Sequence, residues 1–148
     1  MTPLEHPADT AASESLVSVE DVNSFLATDF PGGSTNGCAE LGHGWATAVL
    51  RPEADRLRPG GIISGPTVFG LCDAVLYYAC FTVIGLEPMA LTSEMSIRYL
   101  RPAFGAELWA RADIVSVGRR NIVGNIVAWT ESVNQPVATC QGTCVRPR

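Results

Sequence analysis

The 148 residues carry a formal net charge of −5, with 47% hydrophobic and 17% charged side chains. That balance excludes a disordered chain, and the acidic surface argues against nucleic acid or an anionic membrane as partner. A chain of this length buries roughly 68–70% of its unfolded surface, enough for a domain with its own core.

Residues 1–15 contain Glu5, Asp9 and Glu14 but neither Lys nor Arg nor an apolar stretch, so a flexible tail is expected rather than a secretory signal. A single domain is then expected over 16–148. Ser18 with Asp21 three residues on makes a capping-box-like start, and Val22, Phe25 and Leu26 predict a short amphipathic helix ending near Pro31-Gly32-Gly33. Residues 44–50 (GWATAVL) read as a strand, and 51–61 as a polar connection rich in turn residues. A long helix follows, with Ser64 as N-cap, Pro66 in the first turn and no further proline over 67–83. It is apolar on nearly all sides, so the fold or a partner must wrap it. Asp73, Pro66 and several glycines interrupt this charge-poor region, which argues against a bilayer span.

Strand character returns over 91–100, 107–117, 121–131 and 137–145. In the second of these, Leu108, Ala110, Ala112 and Ile114 alternate with Trp109, Arg111 and Asp113, the period of a half-buried strand. Short connections predict antiparallel neighbours. The order of elements therefore predicts an α+β fold with an antiparallel sheet curled around one long helix.

Between Arg58 and Glu87 the only charged side chain is Asp73, in the middle of the most apolar helix. Burying a carboxylate is costly without a partner, and desolvation moves such a group toward general-base chemistry. Tyr77, one turn on, is either its structural hydrogen-bond partner or a substrate contact. At the helix start, Ser64-Gly65-Pro66 offers free N–H groups and a glycine that permits close approach, which suits a developing oxyanion. It equally suits an ordinary capped start. Gly65 and Asp73 lie roughly 12 Å apart along a helix, too far to act on one carbonyl within a chain. A two-fold dimer with antiparallel helices would set Gly65 of one subunit opposite Asp73 of the other.

The five cysteines are odd in number and form no CxxC pair, so reduced thiols in a cytoplasmic protein are expected. Cys140 and Cys144 share one strand face and read as small core residues.

The stretches SGPTVFGLCDAVLYYA, LTSEMSIRYLRPA and SVGRRN resemble the hotdog-fold acyl-CoA thioesterases of the phenylacetate-pathway (PaaI-like) type, over roughly residues 44–145. The resemblance implies a cytoplasmic hydrolase, a homodimer or homotetramer, with no cofactor beyond the coenzyme A of the substrate and no metal. It implies that Asp73 is the nucleophile or the base that activates water, and that the Gly65 N–H polarises the thioester carbonyl. Ser64 stands where the family usually has His. Arg58 stands near a position that often holds an Asn orienting water or carbonyl. Thr92 falls near a position where some members carry a hydroxyl that orients the attacking water, and it is also an ordinary strand residue. Arg101, Arg119 and Arg120 are candidates for the phosphates of coenzyme A, or else solvated turn residues.

Two other functions fit parts of the pattern. A non-catalytic acyl-CoA-binding or sensing domain is compatible with Ser64 and Arg58 in place of His and Asn. A hotdog hydratase or dehydratase needs a histidine beside the carboxylate, and the two histidines, His6 and His43, lie far from Asp73 in sequence.

Overall fold

A computed structural model describes residues 14–30 and 36–148. The expected tail lies outside the described residues except for its last two, and His6 and the Pro31-Gly32-Gly33 stop also lie outside them. Ser18 caps α1 (Val19–Asp29) through a full capping box, its hydroxyl accepting from the Asp21 N–H while the Asp21 carboxylate accepts from the Ser18 N–H. Val22 and Leu26 point inward, as the periodicity requires.

The sheet begins earlier than the sequence predicts. β1 (Asn36–Gly42) pairs with β2 (Trp45–Leu50) as a hairpin. Its sequence, NGCAELG, carries only Cys38 and Leu41 as large apolar residues, too few for a visible period of two. The polar connection that follows contains one 3-10 turn and a small ribbon, β3 (Leu57–Arg58) with β4 (Ile62–Ile63). Next come α2 (Gly65–Ile84), β5 (Leu91–Tyr99), β6 (Leu108–Val117), β7 (Asn121–Trp129) and β8 (Ala138–Val145).

Six strands form one antiparallel sheet in the order β1-β2-β6-β7-β8-β5. The expectation of sequential neighbours holds for β6, β7 and β8 and fails for β5, which pairs with β8 and stands at an edge. Residues 100–107 can span up to ~26 Å, and three strand spacings need only about 14 Å, so this short loop suffices for the crossover. The loop is tied down where the Ile63 N–H donates to the Ala103 carbonyl at 2.8 Å.

The inner face of the sheet holds α2 closely because its residues are small. Ala46, Ala48, Ala110, Ala112, Ala128 and Ala138 are all fully buried. Gly124 and Gly142 face each other in register, and a Cβ on either would lie within 2.8 and 2.7 Å of the two methyls of Leu76. Leu76 therefore seats in a notch that only glycine leaves open. α2 has the length and apolarity of a membrane span, and here the sheet covers most of it. A sheet wrapped around one long helix is the hotdog arrangement that the resemblance implies.

Candidate active site

α2 is wrapped unevenly. Residues Tyr78 to Thr82 are buried on every side, whereas Pro66, Phe69 and Gly70 are exposed and Asp73, Ala74 and Tyr77 are half-buried. The spacing of these six places them on one stripe of the helix. Asp73 is the only charge on that stripe.

One strand irregularity supplies its partner. Met95 and Ile97 point inward on β5, so strict alternation would aim Ser93 inward and Thr92 outward. A bulge between Thr92 and Glu94 inserts Ser93 as an extra residue and turns Thr92 toward the helix. The Thr92 hydroxyl then donates to Asp73 Oδ1 at 2.5 Å. Asp73 is thus held by Thr92 and not by Tyr77, whose hydroxyl donates instead to the Pro88 carbonyl at 2.8 Å. Burial pushes the Tyr77 phenol up to about 12, so it stays a neutral donor at physiological pH. The ion pairs among the described residues are Arg51 with Glu107 and Arg111 with Asp113, and neither includes Asp73.

Asp73 opens onto a cavity of about 590 Å³ lined in part by Thr92, Tyr77, Tyr78 and Leu26. Gly65 opens onto a different one, about 420 Å³, together with Arg58, Tyr99 and Arg101. The Gly65 carbonyl accepts from the Tyr99 hydroxyl at 3.0 Å. In the first turn of α2, Pro66 has no N–H and the Thr67 and Val68 N–H groups donate to Ser64, which leaves the Gly65 N–H as the candidate oxyanion donor. Ser64 serves as the cap: its Oγ accepts from the Thr67 N–H and lies 2.7 Å from Thr67 Oγ1. Its hydroxyl is therefore occupied within the helix start.

The arginines split into two groups. Arg101 donates to the Pro136 carbonyl at 3.0 Å and lies near Gly65, as does the exposed Arg58. Arg119 and Arg120 sit exposed in the β6–β7 turn, at the end of the sheet that also carries Thr92. One chain therefore does not bring the four arginines together. His43 lies in the β1–β2 turn, where the Gly44 N–H donates to Thr82, about two and a half helical turns beyond Asp73.

Cys72 adjoins Asp73 in sequence and offers no alternative nucleophile. It hydrogen-bonds Cys140 and is fully buried, and both effects hold it as the thiol; Cys80 with Cys144 repeats the arrangement. Sequence reasoning missed Leu26, Asn36 and Tyr78 in the Asp73 cavity. Asn36 and Tyr78 are hydrogen-bonded to each other across 42 positions, and no local signal marks such a pair.

The sequence model of the thioesterase superfamily matches residues 60–137, more than half of the chain. No curated protein matches. Among solved structures, a thioesterase candidate from Silicibacter sp. TM1040 is 28% identical, covering 93% of this chain and 97% of its own, with a TM-score of 0.82. The PaaI protein of the E. coli phenylacetic acid degradation operon is 25% identical over 76% of this chain and 80% of its own, TM-score 0.67. A mutant of the phenylacetic acid degradation protein PaaI from Thermus thermophilus is 27% identical over 76% of this chain and 93% of its own, TM-score 0.65.

Proposed function

Because the chain belongs to the thioesterase superfamily, as a hotdog-fold protein of the PaaI-like type, we propose that it hydrolyses a small or medium acyl-CoA thioester to free acid and coenzyme A. The observation that carries this reading is Asp73, half-buried at a cavity wall and oriented by the Thr92 hydroxyl. Asp73 has two routes. As nucleophile its carboxylate attacks the thioester carbonyl, expels the thiolate and leaves a mixed anhydride that water cleaves. As base it takes a proton from water, the hydroxide adds to the carbonyl, and the coenzyme A thiol departs with the proton.

The oxyanion donor comes from a second subunit in this reading. β5 is an edge strand whose nine residues carry both halves of the site: Thr92 bonds Asp73 at one end, and Tyr99 bonds Gly65 at the other. Antiparallel pairing of β5 with its own copy about a two-fold axis sets one residue opposite itself. With Ser96 at that centre, Glu94 faces Arg98 of the partner subunit, and neither residue is ion-paired among the described residues. The same pairing brings the Thr92–Asp73 end of one subunit to the Tyr99–Gly65 end of the other. It also gathers Arg58 and Arg101 of one subunit at the end that carries Arg119 and Arg120 of the other, as a site for coenzyme A phosphates.

A non-catalytic acyl-CoA-binding domain is the second reading, favoured by a Ser64 hydroxyl spent on the cap. One experiment separates the two: thiol release from an acyl-CoA panel, run with Asp73→Asn alongside. Hydrolysis requires release by the unaltered protein and loss in the variant. Binding without release would replace the first reading with the second.

A further inference from the structure

The cavity at Asp73 has a wall that belongs to neither the helix nor the edge strand of the catalytic pair. Leu26 and Phe30, from the end of α1 and its C-cap, close one side of it. α1 is fixed there firmly. The Asn23 side chain makes two 3.0 Å hydrogen bonds to the backbone of Cys38, one donated and one accepted. Phe25 meets the ring of Phe81 edge-on with centroids 5.7 Å apart and that of Phe30 at 5.8 Å. α1 also lies outside residues 60–137, so this wall is not part of the span that matches the family.

The chemistry of the lining is one-sided. Asp73 is the only charged residue among the described residues that line the cavity. Its hydroxyls are already engaged: Thr92 donates to Asp73, Tyr77 to Pro88, and Tyr78 to Asn36. Apart from the Asn36 amide, the side chains that remain around the cavity among the described residues are mostly aliphatic and aromatic, which rewards an apolar ligand and offers no counter-charge to an anionic one. A second carboxylate on the acyl group would sit beside Asp73 in this setting, with like charges and no cation among the described residues of this chain's own lining. The arginines at the Gly65 end of the partner subunit are taken by the coenzyme A phosphates in the same reading.

We propose that Leu26 and Phe30 of the α1 wall determine which acyl group this protein accepts, and that the accepted group is uncharged and apolar. The proposal rests on the reading that the thioester carbonyl is placed at Asp73. Phe30, 41% exposed, forms the outer part of the wall and limits the length of the group; Leu26, nearly fully buried, forms its floor. Ala74, which lines the same cavity from α2, is the point from which the space can be narrowed.

The test is a thiol-release panel of acetyl-, hexanoyl-, decanoyl- and succinyl-CoA on the full chain, comparing kcat/KM ratios within each variant. The unaltered protein is expected to prefer hexanoyl- over succinyl-CoA by tenfold or more. Phe30→Ala is expected to raise the decanoyl-to-hexanoyl ratio by tenfold or more, and Ala74→Leu to lower the hexanoyl-to-acetyl ratio by a similar factor. Ratios within twofold of the unaltered protein in both variants, or succinyl-CoA turned over as well as hexanoyl-CoA, would overturn the proposal. Calorimetry of the non-hydrolysable thioether analogues of hexanoyl- and succinyl-CoA binding to the unaltered protein reads the same wall, with the Asp73 charge in place, without turnover. A tenfold binding preference with no hydrolysis by the unaltered protein sinks the catalytic reading alone, whereas equal binding of the two sinks the wall.

Discussion

The two halves of α2 have similar composition and opposite fates. From Tyr78 to Thr82 every residue is buried, enclosed by α1, the β1–β2 hairpin and the inner face of the sheet. From Pro66 to Tyr77 the sheet covers one side and leaves a stripe uncovered, with Phe69 at 37% exposure and Asp73 beside it. The covered half is a packing element whose residues answer to volume. The open half is where a carboxylate can be kept out of full solvent and still meet a ligand. Stability and chemistry are thus separated along a single helix, and substitutions in the two halves should be distinguishable by what they change.

The largest effect is expected from Asp73→Asn, which keeps the shape and removes the charge. Thiol release should fall by about 10²–10⁴-fold, the range of a lost acid–base group, while thermal unfolding shifts by no more than about 2 °C. A large loss of stability with retained activity would erase the contrast between the halves. Leu76→Ala attacks the opposite side of the helix and should cost about 2–5 kcal/mol in denaturant unfolding, because the notch at Gly124 and Gly142 cannot collapse onto the cavity it leaves. Gly142→Ala overfills that notch, with an expected cost of about 1–3 kcal/mol. Adding Leu76→Ala to it should give a total smaller than the sum of the two, since each relieves the other.

Thr92→Val sharpens the comparison within the open half. It removes one hydrogen bond to a charged group, so the unfolding free energy should fall by about 1.5–3 kcal/mol, and kcat/KM, with Asp73 no longer oriented, should drop roughly tenfold or more. The smallest effect concerns the proposed β5 pairing. Glu94→Arg should weaken dimerisation in sedimentation by placing like charges across the two-fold, and Arg98→Glu added to it should restore the affinity, at roughly 0.2–1 kcal/mol per pair. Failure of the second change to restore it would move the interface away from the register centred on Ser96.

Elements with strong local signals were legible from the order of amino acids alone. The capping box of α1, the Ser64 cap of α2, the helix over 65–84, the alternation of β6 and the isolation of Asp73 among apolar residues are all written within a few neighbouring positions. Absent from that record were β1, whose NGCAELG lacks an apolar period, and the edge position of β5. Three further features emerged only when the chain was folded: the bulge at Ser93 turns Thr92 to Asp73, Tyr77 bonds Pro88 instead, and Gly65 and Asp73 face separate cavities. The reason is the range of the interactions. Caps and periodicity follow from backbone geometry over one or two turns, whereas strand order and side-chain pairing across β5 and β8 depend on which distant surfaces together bury the most apolar area.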